Sequence, residues 1–418
     1  MIDRNLLRTA PDTVRVAIAR KEPLFPLDQL IALDVHVRDL QHQLEQLQQE
    51  RNSIAQQGKS GVTDTVRAEG ARVGHEISKV HELYTQAEQA FNDVYLRCPN
   101  IPDNSIPDGG KESNTVIKSW GEKPIFEYPI RNHVELGNKL GWFDFEAAAR
   151  MTKGNFALYR GDAVRLTYAL TMLMLENNQE YGYSPVLPPY VVNEQALIVA
   201  SNFPKFKDQV FALTDNKLFL TPTAEVNIAS MWREHTFGDG DLPIRLTAWT
   251  SCFRQEAGTY GAHERGLIRI HEFEKVELYT LCEPELVAQE HERMLAAAEN
   301  ILQKLGLHYR VSLLAAQDCS FASAKTYDIE VWMPGQNAYY EVSSCSNCTD
   351  FQARRGQLKY KKTGDKKSRF VYTLNGSSLA IPRLIVALME TYQQPDGSIK
   401  LPDILYNYGC WGKSRAHG

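Results

Sequence analysis

Between residues 28 and 57 the apolar positions Leu30, Leu33, Val37, Leu40, Leu44, Leu47 and Ile54 recur on alternating three- and four-residue steps, with Arg51 in the one polar slot. That period marks a coiled-coil seam. A polar stretch, GKSGVTD at 58–64, interrupts it, and a second seam runs through Val73, Ile77, Val80, Tyr84, Ala87, Phe91 and Val94. Two helices joined by so short a turn run antiparallel. Their other faces are polar, as in QHQLEQLQQER, so each helix has one narrow stripe to bury. The pattern predicts a hairpin arm over about 28–97, each helix roughly 40 Å long at about 1.5 Å per residue.

The period changes after Cys98. Three prolines and two glycines punctuate PNIPDNSIPDGGKES (99–113), which predicts a linker over 101–113 between an N-terminal domain, 1–100, and a second domain, 114–418. There a long buried helix is expected over 162–180, followed by YSPVLPPYVV as a short strand with a Pro-Pro interruption. Short alternating segments come next: LFLTPTAEV (218–226), PIRLTAWTSCFRQEA (243–257), RIHEFEKVELY (269–279), KTYDIEVWMP (325–334) and AYYEVSSC (338–345). Helical patterns at 284–306 and 380–393 separate them. The expectation is an α+β domain, a mostly antiparallel sheet flanked by helices.

Charge and composition narrow the function only by exclusion. The net charge of −5, with 43% hydrophobic and 23% charged residues, describes an ordinary globular chain without a general basic coat. No run approaches the roughly 18 apolar residues of a membrane span, and the N-terminus is no secretory signal. Seven scattered cysteines, with Cys345 and Cys348 as a lone C-x-x-C, read as reduced thiols of a cytoplasmic protein. Neither G-x-G-x-x-G after a strand nor G-x-x-x-x-G-K-[ST] occurs, so neither a dinucleotide fold nor a P-loop is indicated.

The informative positions lie within the strands. In RIHEFEKVEL, His271, Phe273, Lys275 and Glu277 share one parity, and Ile270, Glu272, Glu274, Val276 and Leu278 the other. Thr223 with Glu225, Arg254 with Glu256, and Glu341 with Ser343 repeat the i, i+2 pairing. Arginine suits phosphate through its bidentate fork. Neighbouring carboxylates tolerate one another when a divalent cation sits among them, and Phe273 offers a flat ring for a base. The set points to a nucleoside triphosphate with Mg²⁺ held on a polar sheet face. In TLNGSSLAIPRLIVALME, Pro382 suits a first helical turn, which places Arg383 near that helix N-terminus.

With these residues assembled, the chain resembles the bacterial-type seryl-tRNA synthetases over nearly its whole length. TPTAEV, CFRQEAG followed by RGLIRIHEFEKVE, KTYDIEVW, EVSSCSN with DFQARR, and TLNGSSLA stand in that family's order behind a coiled-coil hairpin. The resemblance implies a class II aminoacyl-tRNA synthetase, an ATP-dependent ligase that forms seryl-adenylate and charges tRNA(Ser), with the selenocysteine tRNA as a further candidate. It implies a homodimer formed through YSPVLPPYVV, whose arm meets the tRNA across the dimer. Carried onto this sequence, Thr223, Ala224, Glu225, Glu277, Asn375 and Ser377 line the serine site, and Arg254 holds serine's carboxylate and the α-phosphate. Glu256 and Ile270 to Phe273, including His271 and Glu272, bound the adenine pocket beside Gln255. Glu341, Val342, Ser343 and Ser344 complete the ATP site, Glu341 and Ser344 as the Mg²⁺ ligands, and Arg383 clamps the γ-phosphate.

The sequence departs from the family pattern at Pro382, at NGSS, at the GAHERGL loop and at SNFPKF (201–206). The arm, 28–97, holds seven Lys/Arg against eleven Asp/Glu, so RNA contact would fall to a few cations near its tip, Arg51, Lys59, Arg67 and Arg72. Two other readings compete. An amino-acid ligase acting on a carrier protein would lack the full hairpin, and an inactive RNA-binding paralogue would lose the ATP-site residues that are kept here.

Overall fold

The structure, a computed structural model, describes residues 1–59, 63–215, 217–256 and 266–408. Most of the GAHERGL loop, the hairpin turn at 60–62 and the tail from 409 therefore lie outside the described residues. The chain divides at Pro99/Asn100 into two compact units.

The first unit holds α1 (Arg4–Thr9), α2 (Pro11–Lys21), α3 (Leu27–Gly58) and α4 (Asp64–Tyr95). The seam residues Leu30, Val37, Leu40, Leu44 and Ile54 of α3 are buried, with Val73, Ala87 and Phe91 of α4. The two long helices run antiparallel: Arg72 pairs with Glu50 at 2.7 Å, and Gly70 lies against Ile54. Two details differ from the sequence expectation. Tyr95, one residue past the predicted Val94, is the buried residue there, and its hydroxyl donates to the Ile2 carbonyl. The short helices α1 and α2 are additions, because six and eleven residues are too few to show a period. Their signals are local, an Asp3 cap on Asn5 N–H and Pro11 at the first position of α2.

Asp34 is a buried carboxylate in this unit. Arg8 grips it with two hydrogen bonds at 2.8 and 2.7 Å, and Arg38 adds a third at 3.1 Å. Burial pushes its carboxyl up, but the bonds and charges of Arg8 and Arg38 outweigh that and hold it below the usual range.

The second unit is built on an eight-stranded sheet: β1 (Thr115–Trp120), β2 (Ser184–Val186), β3 (Ile244–Phe253), β4 (Glu272–Cys282), β5 (Tyr309–Leu313), β6 (Lys325–Met333), β7 (Ala338–Thr349) and β8 (Tyr372–Ala380). Their spatial order is β1-β5-β6-β7-β8-β4-β3-β2, antiparallel except for the edge pair β3–β2. The helices of this unit used below are α5 (His133–Leu140), α6 (Asp162–Glu180), α7 (Ala224–Ala229), α8 (Val287–Lys304), α9 (Phe351–Gly356) and α10 (Ile381–Tyr392). One sheet face is buried under α6, α8 and α10, where Val276, Leu278, Val342 and Leu379 meet Leu170, Ile301 and Leu384. On the other face, Tyr279 and Leu281 of β4 are covered by α7 and α9 in a smaller core. Beside that core, β4, β7 and β8 line a cleft on the same face. The segment read as a linker is laid along this unit: the Asn100 side chain donates to the Ala322 and Cys348 carbonyls at 2.8 and 3.0 Å.

Strict alternation fails at four places in the sheet, and two of them lie among the cleft-lining residues of β7 and β8. Ser343 pairs with Ile329 but Glu341 with Glu330, so Val342 is an extra residue in β7. Ser377 pairs with Glu277 but Leu379 with Val276, so Ser378 is an extra residue in β8. A bulge flips the parity of the residues beyond it. Other expectations also shift. LFLTPTAEV is strand only over Leu218–Leu220, and Thr223 then caps α7. YSPVLPPYVV is two strands, β2 and Val191–Asn193, in different sheets. The six described cysteines are buried free thiols.

Removing one charge from the Arg8–Asp34–Arg38 cluster tests its weight. Asp34→Asn should lower the stability of the N-terminal unit by about 1–3 kcal/mol, read from amide hydrogen exchange in α3 and α4.

Candidate active site

The cleft has a volume of about 540 Å³. Strand β4 contributes Phe273, Lys275 and Glu277 from one parity. Strand β8 contributes Asn375 and Ser377 and, past the Ser378 bulge, Ala380. Strand β7 contributes Glu341 and, past the Val342 bulge, Ser344 and Ser346. The expected Glu341–Ser343 face is therefore corrected: the bulge turns Ser343 away, where it is fully buried and its hydroxyl donates to the Ser377 carbonyl.

The floor is a closed polar network. The Thr223 hydroxyl donates to Glu277 Oε2 at 2.8 Å. It accepts from Lys275 Nζ at 2.8 Å and from the Glu225 backbone N–H at 3.3 Å. One donor and two acceptor positions use the whole capacity of a hydroxyl. Lys275 also pairs directly with Glu277, and both are buried. Thr223 and Glu225 thus meet the sheet from a helix start rather than from a strand, with Ala224 buried between them. Glu225 lines the cleft and accepts from Gln352 Nε2 at 2.6 Å. Burial and the negative charge of Glu277 push its carboxyl up to about 7, against the pull of Lys275, Gln352 and Arg254.

Above this floor, Arg254 lies over the Phe273 ring, 5.2 Å from its centroid, and its Nε donates to the Pro222 carbonyl at 3.2 Å. Glu256 sits in the left-handed region at φ 50° and is bound by Arg269, at 2.7 Å from Nε. Ile270 is buried and borders the cleft. Among the remaining sequence candidates, three side chains turn elsewhere. His271 Nδ1 donates to the Arg254 carbonyl at 2.9 Å, and the ring packs between the Phe156 and Phe211 rings. Gln255 reaches the Val210 carbonyl, and Glu272 is exposed at the strand start. These three can shape the site only through the backbone they hold.

At the other end of the cleft, Arg383 at the start of α10 donates to the Glu341 carbonyl at 2.7 Å and to the Ile268 carbonyl at 3.3 Å. The Glu341 carboxylate stays half exposed, 3.9 Å from the same guanidinium. Ser344 pairs in register with Asp328, whose Oδ1 is buried without a hydrogen-bond partner. Glu341 and Ser344 line the cleft with oxygens of the kind a hard divalent cation takes, although no group of three or more carboxylate, imidazole or thiol side chains is gathered for one among the described residues.

Beneath the rim, Glu390 of α10 is fully buried. It accepts from the His133 backbone N–H at 3.0 Å, His133 Nδ1 at 3.1 Å, Gln336 Nε2 at 3.0 Å and the Gly335 N–H at 2.9 Å. His133 Nε2 in turn faces the Leu267 N–H at 3.4 Å, and Leu267 to Ile270 form the cleft wall. Sequence reasoning missed Arg269, Gln352 and the His133–Glu390 pair. None of them carries a periodic mark.

Comparison with known proteins sets this geometry in a family. Residues 1–102 match the seryl-tRNA synthetase N-terminal domain, and residues 206–392 match the tRNA synthetase class II core domain (G, H, P, S and T). A serine–tRNA ligase of Acidithiobacillus ferrooxidans is 44% identical over 415 residues, 98% of each chain. One from Desulfotalea psychrophila is 46% identical over 339 residues, 81% of this chain and 80% of that one. The crystal structure of seryl-tRNA synthetase from Pyrococcus horikoshii complexed with ATP superposes with a TM-score of 0.90 at 32% identity, covering 98% of each chain. No described helix is long and apolar enough to cross a membrane.

Glu225 makes the floor pH-dependent. Its carboxyl ionises near 4.5 when unperturbed and near 7 in the fold. Between those values the folded chain keeps a proton that the unfolded chain has lost, so stability falls as pH rises through the window. Glu225→Gln has no such proton to lose. The stability of this variant relative to wild type should therefore rise by a few kcal/mol, on the order of the shift, between about pH 4.5 and 8, measured by urea unfolding at both ends.

Proposed function

The chain belongs to the seryl-tRNA synthetase family and is an ATP-dependent aminoacyl-tRNA ligase, and from that premise we propose that its cleft activates L-serine and passes it to the 3′ end of tRNA(Ser). The observation that carries the reading is the floor: Glu277, bridged by Thr223 and Lys275, faces the cleft directly across from Ser377 in register. A buried carboxylate beside a small hydroxyl supports a reading in which Glu277 takes the substrate ammonium and Ser377 its hydroxyl.

In this reading the serine carboxylate lies against Arg254, and adenine stacks on Phe273 between Ile270 and the Glu256–Arg269 pair. A serine carboxylate oxygen attacks the α-phosphorus; the bond to the bridging oxygen breaks, and pyrophosphate leaves. The reaction needs no nucleophilic side chain, only alignment and positive charge where negative charge develops. Arg254 supplies that charge at the α-phosphate and Arg383 at the far phosphate end. Glu341 and Ser344 would hold Mg²⁺, which when bound neutralises phosphate charge. In the second step a terminal ribose hydroxyl of the tRNA attacks the seryl carbonyl, and AMP leaves.

Selection of serine follows from satisfied polar groups. Alanine would leave the Ser377 side of the pocket without a partner, a penalty of roughly 10⁴-fold in sites built to bind a hydroxyl. The α3–α4 hairpin is the tRNA-reading arm of this proposal. Arg72 is drawn into ion pairs with Glu50 and Glu76, and Arg67 pairs with Asp64, so Arg51 and Lys59 are the cations we assign to RNA. A second copy of the chain would cover exposed apolar side chains on α6 and after β2, namely Tyr168, Met172, Leu187 and Tyr190.

Serine-dependent ATP–pyrophosphate exchange is the direct test. Exchange should appear with serine and be at least a hundredfold weaker with threonine or alanine; its absence with serine overturns the reading. Glu277→Ala should abolish serine activation in a folded protein, and an unchanged serine KM would remove Glu277 from its role. Deleting residues 30–95 should leave exchange intact while cutting tRNA charging at least a hundredfold. Charging at the wild-type rate would show that the arm does not read tRNA.

A further inference from the structure

Gln352 lies in the first turn of α9 and is fully buried. Its carboxamide makes three short contacts. Oε1 accepts from the Tyr279 hydroxyl at 3.0 Å and from the Thr373 hydroxyl at 2.8 Å. Nε2 donates to Glu225 Oε1 at 2.6 Å, and lies 3.5 Å from the Ala200 carbonyl.

The orientation of this amide is not free. A flipped amide would set its oxygen against the Glu225 carboxylate and the Ala200 carbonyl, an acceptor facing two acceptors. As it stands, two hydroxyls from separate strands, β4 and β8, point at the amide oxygen and force the N–H toward Glu225. The Tyr279 hydroxyl keeps its proton, because burial pushes its pKa well up.

The charges around Glu225 explain why such a device is useful. Glu277 and Lys275 face it from β4, Arg254 from the end of β3, and Gln352 with Tyr279 from behind. Two carboxylates share one buried ammonium, that of Lys275, and the Arg254 guanidinium; with that guanidinium turned to the substrate carboxylate, as in the reading above, a second ammonium would complete the balance. The substrate amine supplies it only if Glu225 is ionised. A buried carboxylate next to another one resists ionisation, and a fixed N–H donor favours the charged form.

We propose that Gln352 is a positioning residue for amino-acid recognition: it fixes the Glu225 carboxylate in orientation and in its charged form, so that Glu225 and Glu277 together receive the substrate ammonium. This rests on the serine-activation reading above. Gln352 touches no substrate, and it acts through one hydrogen bond.

Gln352→Glu keeps the volume and the acceptors for Tyr279 and Thr373 but turns an acceptor toward Glu225. In ATP–pyrophosphate exchange near pH 7 its serine KM should rise at least tenfold, with the ATP KM within twofold of wild type. The pH below which serine binding weakens should move upward. Gln352→Met, which keeps the volume and removes both polar groups, should shift the same way and serves if the glutamate variant fails to fold. Equal rises in both KM values, or an unmoved pH profile, would reduce Gln352 to packing and overturn the proposal. The controls separate the two levels: wild type without serine-dependent exchange removes the activation reading itself, whereas normal wild-type exchange with unaffected Gln352 variants removes only this inference.

Discussion

A β-strand shows its side chains to one face at every second residue, and the cleft exists because this period is broken twice. With an unbroken period, Glu341 would share its face with Ser343, and Ser377 with Leu379. The extra residues Val342 and Ser378 reset the parity, so Glu341 joins Ser344 and Ser346, and Ser377 is followed on the cleft face by Ala380. The same bulges deliver Ser343 and Leu379 to the opposite face beside Val342 and Ser378, where all four are buried. A polar cleft and an apolar core are thus cut from one sheet, and neither could be filled correctly without the resets.

The floor of the cleft obeys a different rule, the saturation of hydrogen-bond capacity. Thr223 spends its donor on Glu277 and its acceptors on Lys275 and the Glu225 N–H. Gln352 spends its oxygen on two hydroxyls and its N–H on Glu225. Few polar groups in this region are left to rearrange, so in the proposed reading the carboxylates meet the substrate ammonium already placed. The Arg383–Glu341 end is the contrast, where Asp328 Oδ1 is buried without a hydrogen-bond partner beside Ser344.

Legibility in the sequence divides along the same line. The seams of α3 and α4 are legible because a long helix repeats its signal many times, and Phe273, Lys275 and Glu277 because β4 keeps its alternation through the cleft. A bulge adds one residue and leaves no trace in composition, so alternation alone pairs Glu341 wrongly with Ser343, while the Glu341–Ser344 pair comes from family likeness. Thr223 looks like a strand residue because a cap also prefers extended backbone, at φ −173° and ψ 147° here. Gln352 and His133 cannot be singled out. One buried amide or imidazole in a chain of 418 residues has meaning only through partners far away in sequence.

His133 has one more consequence. Its Nδ1 faces the Glu390 carboxylate and its Nε2 faces the Leu267 N–H, so the two ring nitrogens have different fixed partners. The wall of the cleft is pinned to that ring. The two imidazole nitrogens therefore have distinct magnetic environments, one beside a carboxylate and one beside a backbone N–H, and any displacement of the wall changes the second first. The fold thus contains its own reporter position: a nitrogen-labelled histidine would sense the Leu267–Ile270 wall of the cleft from beneath, without touching what binds there.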